Sequence, residues 1–358
     1  MNYSNGFDVE LVLPALTGRR GWKQPTIGGL PELEAGNIAC TSGRYFEDAH
    51  ALVTIQNVFD TQENKDIDDQ TFNTLLLDKQ NSVIMKALNQ VFNEPERLQQ
   101  VLIFDKEDRD NEQLITNTGL VKGFFFKIAK DFGISHQVVS ATLYFNEDVN
   151  FTLYLFKDGK KTHIWSQDVA AEAYEKNVID LTGAFLSYAG GLTKGNKFFL
   201  CYFQEDLGTA KAIKENGCFN KTLCFEAMPF SAEKVEGETN FNRINFSEGY
   251  DTAGLNLEVV SFRDHTQRII RNANLFDEVV GLEMAANVIE HINFSTRSNA
   301  TERITGDKVQ QVFTDLNQAF GSTELPFVPG VKARIQKEYK RLKETFFPKP
   351  KAQTVNLC

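Results

Sequence analysis

Cysteine is scarce and poorly placed for cross-linking. The five residues (Cys40, Cys201, Cys218, Cys224 and Cys358) are an odd number at irregular spacing, without a C-x-x-C pair. That pattern argues against a disulfide framework and against a zinc site, and it fits a reducing compartment. The two tryptophans are a thin supply of stacking surface for sugars. The five histidines (His50, His136, His163, His265, His291) are scattered, and none stands in an H-E-x-x-H spacing. There is no G-x-S-x-G elbow and no G-x-x-x-x-G-K-[ST] loop. No window approaches the roughly 18 apolar residues of a membrane span. Met1 to Asp8 has no apolar stretch of the kind a secretory leader carries, so a soluble protein made inside the cell is expected. Positive charge is also short: 38 Lys and Arg against 48 Asp and Glu leave a net charge of −10. Direct nucleic-acid binding is therefore not expected, because phosphate contacts dominate that affinity.

What is abundant is phenylalanine, with 30 residues against nine Tyr and two Trp. Phe brings large buried area without a polar handle, which suits cores and subunit interfaces. At 358 residues the chain is long enough for two or three domains. The hydrophobic and charged fractions are ordinary globular values, and no staples are needed for a core of this size.

The pattern along the chain predicts an α+β protein, a β-sandwich or jelly-roll-like middle inserted between N- and C-terminal helical regions. Residues 1–43, with Pro14, Pro25, Pro31 and seven glycines, read as an extended N-terminal arm that orders on a partner. Residues 44–116 read as helical. Phe72, Leu76, Ile84, Leu88 and Phe92 fall on one face behind Asp68 and Asp69 as candidate caps, and a short helix is expected from Glu94 to about Phe104. Residues 117–263 read as the sandwich. Val139, Ala141, Leu143 and Phe145 alternate with Ser140, Thr142 and Tyr144, Phe151, Leu153 and Leu155 alternate with Thr152, Tyr154 and Phe156, and Asp158-Gly159 signals a hairpin. Val121–Ile128, Lys197–Phe203, Leu223–Met228 and Leu255–Phe262 are further strands, interrupted by a helix expected from Glu205 to Asn216. Residues 264–358 return to helix and are expected to pack with 44–116. One long helix starts at Asp264 with Gln267 as a capping box and is apolar nearly all round. A polar stretch, Ser295–Thr305, is followed by a helix near Asp307–Phe320. A last helix aligns Ile335, Tyr339, Leu342 and Phe346.

Little in the sequence carries catalytic chemistry. Glu47, Asp48 and His50 form a small cluster, but only residues three or four apart share a helix face, so a solvated surface is the better reading. The acidic run Asp105–Glu112 lacks the Gly at the sixth and Glu at the twelfth position of a calcium loop. Gly190–Gly195 resembles a phosphate loop, but its Lys is misplaced, and Asp131-Phe-Gly133 is a chance match to the kinase triplet. No catalytic residue, cofactor or metal is expected. Two charged segments have shape. Arg19, Arg20 and Trp22 form a basic and aromatic knot in the arm. Lys337, Lys340, Arg341 and Lys343 ride opposite the apolar stripe of the last helix, a sign asymmetry on an acidic chain. These seven residues are the candidate interface.

Five segments carry a resemblance. Gly43-Arg-Tyr-Phe-Glu-Asp-Ala-His50, Phe151-Thr-Leu-Tyr-Leu-Phe156, Phe203-Gln-Glu-Asp-Leu207, Gly254-Leu-Asn-Leu257 and Ser295-Thr-Arg-Ser-Asn299 resemble structural proteins of tailed phages that infect Bacteroidetes. The resemblance implies a virion component of the neck, tail or baseplate, assembled in the host cytoplasm. Its partners would be copies of itself and other virion structural proteins, with no membrane. It assigns no functional residue and implies no enzyme. A carbohydrate-binding or adhesive module is the alternative, followed by a glycoside hydrolase with paired carboxylates. The 48 acidic residues give no way to choose such a pair.

Overall fold

A computed structural model of the chain describes residues 3–4, 6–26, 28–62, 67–93, 95–104, 108–115, 120–129, 133–186, 197–216, 220–223, 225–248, 253–294, 314, 316–317 and 329–348. The chain is a mixed helix-and-sheet protein that divides into two compact units. The first is Met1–Leu11 with Glu94–Gln267, and the second is Val12–Asn93 with Arg268–Cys358.

The first unit is antiparallel sheet. The strands in chain order are β1 (Tyr3–Ser4), β2 (Phe7–Asp8), β3 (Arg97–Leu102), β4 (Asp108–Leu114), β5 (Leu120–Ile128), β6 (Ile134–Leu143), β7 (Val149–Lys157), β8 (Trp165–Ala171), β9 (Asn177–Leu186), β10 (Lys197–Phe203), β11 (Ile213–Asn216), β12 (Phe225–Lys234), β13 (Phe241–Glu248) and β14 (Leu255–Arg263). Six of them form one sheet in the order β13-β12-β5-β10-β7-β8, and four form another in the order β3-β14-β6-β9. Phe124 and Phe126 of β5, Phe198 and Leu200 of β10 and Leu153 and Leu155 of β7 share one core with Val138, Ala141, Leu257 and Val259 of the smaller sheet. The alternate residues of the same strands, Phe125, Phe156, Phe199 and Phe203, are also buried, in a second cluster with Phe230 and Phe241. The centre of the larger sheet is thus apolar on both faces, which absorbs much of the phenylalanine. Each such ring contributes about 2–3 kcal/mol when fully buried.

Side chains bond backbone carbonyls on both edge strands of the four-stranded sheet. Against β9, Trp165 Nε1 donates to the Thr182 carbonyl at 2.8 Å and Gln167 Nε2 to that of Asp180 at 2.9 Å. Along β3, Asn220 Nδ2 donates to the Leu102 carbonyl at 2.7 Å, and the Leu223 amide donates to Gln99 Oε1 at 2.6 Å.

The second unit holds the helices α2 (Ala35–Ile38), α3 (Ile55–Asp60), α4 (Asp69–Val91), α6 (Asp277–Phe294) and α7 (Val331–Phe346), while α1 (Val9–Leu16) and α5 (Thr266–Arg271) straddle its boundaries. Asp68 caps α4, its carboxylate accepting the Thr71 amide at 2.7 Å. The stripe read from the sequence, Phe72 to Phe92, is the buried face of α4. Ile335, Tyr339, Leu342 and Phe346 are the buried face of α7.

Four expectations are corrected. The helix expected at Glu94–Phe104 is the strand β3. Leu98, Val101 and Leu102 have helical spacing, but the segment pairs with β14, Val101 opposite Val259. The helix expected at Glu205–Asn216 is a single 3₁₀ turn over Gln204–Leu207. It ends at Gly208, whose φ of +60° lies where glycine is favoured, and the chain then runs as β11 against β4. The long helix from Asp264 is broken into α5, a 3₁₀ turn at Ala273–Phe276, and α6, with Asn272 at the break (φ −114°, ψ 28°). Asp264 still caps it, its Oδ1 accepting the Thr266 amide at 2.8 Å. Residues 1–43 are not an extended arm. They supply β1, β2, α1 and α2, and bury Phe7, Val12, Leu16, Trp22 and Leu33. The acidic run now belongs partly to β4. Residues 105–107, 131–132, 187–196, 295–305 and most of 307–320 lie outside the described residues.

His136 is enclosed in the first unit, its Nδ1 2.8 Å from Ser261 Oγ and its ring against Phe225. Burial lowers its pKa from 6.5 to about 4. The unfolded chain takes up this proton as pH falls below about 6.5, whereas the folded ring resists to about 4. Stability from this group is therefore complete above the unfolded value and is lost on acidification to the folded one, a change of about 3 kcal/mol. Urea unfolding between pH 7 and 4 should show that slope in the wild type and a flatter one in His136→Phe. Parallel slopes would show that the ring is not the cause.

Candidate functional site

A cavity lined by charged and polar side chains lies between α4, α6 and α7 of the helical unit. Lys86, Gln90, Glu283, Glu290, Lys332, Ile335, Gln336 and Tyr339 line it, and its volume is about 190 Å³. Its floor is Glu283, 2% exposed on a helix that is otherwise apolar on most sides. Tyr339 Oη donates to Glu283 Oε1 at 2.5 Å. Lys86 Nζ stands 2.7 Å from Oε2, at ion-pair distance but off the direction of a hydrogen bond. At the rim, Lys332 pairs with Glu290 at 2.9 Å.

Burial, and then the hydrogen bond to Glu283, push the Tyr339 phenol well above its ordinary value. It remains a donor at neutral pH and is not a base. Glu283 Oε1 takes the phenol's hydrogen bond and Oε2 has only the charge of Lys86 beside it, and the two cations of the lining balance the two carboxylates. The lining thus carries no net charge with which to select an ion. Its chemistry is that of a clamp holding three helices drawn from both ends of the chain. The signal in the sequence was an acid inside the all-round apolar stripe, and a tyrosine at a core position of the last helix.

The seven candidate interface residues separate into two groups. Arg19 forms a two-pronged pair with Asp277, Nε to Oδ1 at 2.7 Å and Nη2 to Oδ2 at 2.8 Å. Arg20 is buried, donating from Nη1 to the Tyr45 carbonyl at 3.3 Å and pairing with Glu278 at 3.5 Å. Gly281 makes room for it, since a Cβ there would lie 1.8 Å from Arg20 Nη1. Trp22 is 0% exposed, its ring 5.0 Å from Phe46 and its amide bonded to the Asn37 carbonyl. Arg341 bonds Glu338 and the Leu275 carbonyl. These four serve the chain's own packing. Lys337, Lys340 and Lys343 are exposed and have no ion partner among the described residues.

The remaining candidates have partners within the chain. Glu47 accepts the Lys23 amide, and Asp48 accepts Lys23 Nζ at 2.7 Å. Both sit on a 3₁₀ turn rather than an α-helix. The His136–Ser261 pair is fully buried, with no route for a substrate. Among the described residues no three His, Cys, Asp or Glu side chains could hold a metal ion. Trp165 is half-buried with its N–H donated to the Thr182 carbonyl, and Trp22 is fully buried. No described helix is long and apolar enough to cross a membrane. Comparison of the chain with protein families, with curated proteins and with solved structures finds no match.

Tyr339→Phe should cost about 1–3 kcal/mol, because it leaves a buried carboxylate oxygen without its donor. The sign with pH follows from the raised phenol. Above about pH 10 the unfolded chain releases this proton and the folded one does not, so stability falls as pH rises. Thermal unfolding from pH 8 to 11 should show the wild type losing more than Tyr339→Phe. Gly281→Ala should be at least as costly as the tyrosine change, through the displaced Arg20, and a wild-type melting temperature would refute that packing.

Proposed function

We propose that this chain is a structural assembly protein acting through protein–protein contacts, of the kind that builds the neck, tail or baseplate of a tailed-phage virion. The observation that carries the reading is the run of exposed lysines on α7, without an ion partner among the described residues, on a chain whose net charge is −10. A confined patch of the minority sign on an otherwise repelling surface fixes the orientation of association more than its strength. The five-segment resemblance, spread over most of the chain, supports the virion as the place. In this reading the two sheets, joined through their common core, form a β-sandwich that serves as a rigid scaffold. The partners are copies of the same chain and other virion proteins.

Electron microscopy of the purified protein, with light scattering for mass, should show regular assemblies at low salt. Antibody labelling of lysate particles should place the chain in them. A protein that stays monomeric and is absent from particles would overturn the reading, and glycan binding by that monomer would favour the adhesive alternative.

A further inference from the structure

We infer that the lysine face of α7 and the turn between β8 and β9 are the two halves of one contact between copies of this chain. The inference rests on the assembly reading above and specifies its surfaces. On α7, Lys332, Arg334 and Arg341 are taken by Glu290, Glu278 and Glu338. Lys337, Lys340 and Lys343 are left, exposed along about 9 Å of helix.

The β8–β9 turn is the complement in charge and in shape. Glu172 and Glu175 are exposed, and their carboxylates have no partner among the described residues. Between them Tyr174 is 57% exposed with φ +57°, and Val178 just beyond is 69% exposed. A tyrosine held in the left-handed region is unusual and persists only where its surroundings over-determine it. Here they do. The Tyr174 amide donates to the Phe145 carbonyl at 2.8 Å, and the Ala173 amide to Asp148 Oδ1 at 2.8 Å. Asn177 Nδ2 donates to the carbonyls of Glu172 and Glu175 at 3.2 and 3.1 Å. The turn is rigid, and it presents an apolar ring flanked by two free acids. The lysine stems can lie along the ring and Val178 while the ammonium groups reach the carboxylates.

Both halves are present on one chain, which points to a second copy as the occupant. Because the halves differ, the contact is heterologous, and each copy can bind one neighbour on each side.

Sedimentation velocity on the full chain tests this with two variants that change only exposed side chains, folding being checked by thermal melting. Lys337→Ala/Lys340→Ala/Lys343→Ala removes one half. Glu172→Ala/Tyr174→Gly/Glu175→Ala removes the other and relieves the left-handed strain. The wild type should assemble at low salt and dissociate at high salt. Each variant alone should associate at least about tenfold more weakly. Their equimolar mixture should stop at two copies, because each retains one intact half. If the wild type assembles but the lysine variant matches it, or the mixture forms no dimer, or salt has no effect, the inference fails and the assembly reading stands. A wild type that is monomeric throughout overturns both.

Discussion

A sheet that is apolar on both faces must be covered twice, and this constraint organises the β-rich unit. β5 and β10 lie at the middle of the six-stranded sheet and alternate phenylalanine to both sides. One face is closed by the four-stranded sheet. On the other, Phe230 and Phe241 of the β12–β13 pair close on Phe199 at 5.3 Å each, and the Arg243 guanidinium lies over Phe156 and Phe241. Phenylalanine suits such a place because a hydroxyl would need its own partner. Tyr202 illustrates the requirement, since its buried hydroxyl is spent on the Ala253 carbonyl at 2.8 Å.

The helical unit meets the opposite problem, polar groups inside an apolar bundle. Glu283 is tolerated because Tyr339 and Lys86 reach it from two other helices. Asn73 is held in a similar way, its side-chain and backbone oxygens accepting Asn37 Nδ2 while its own Nδ2 donates to the Glu32 and Asp69 carbonyls. Such pairs hold segments distant in sequence to one register, since a slip would strand a buried polar atom.

Long periodic elements were legible in the sequence. The faces of α4 and α7, the Asp68 cap and the strands β5, β7, β10 and β14 follow from spacing alone. Short elements were not. Leu98, Val101 and Leu102 have the same spacing in a helix as they show in β3, and only pairing with β14 decides between them. The N-terminal region misled through its prolines and glycines, which mark turns but do not reveal that Val12, Leu16 and Trp22 have a core to enter. Of the candidate surface, the charge asymmetry of α7 was visible, but which cations were already paired was not. Pairing depends on carboxylates far away in sequence, such as Asp277 for Arg19. The Tyr174 turn left no signal, since a left-handed tyrosine looks like any other in sequence.

The side-chain bonds on the edge strands of the four-stranded sheet have a consequence for life at high concentration. Exposed strand edges invite a neighbour to extend the sheet, and growth of that kind continues indefinitely and is hard to undo. Trp165 and Gln167 along β9, and Asn220 along β3, occupy backbone positions where such growth would begin. Ribbon-like aggregation of crowded copies is thereby disfavoured at those positions.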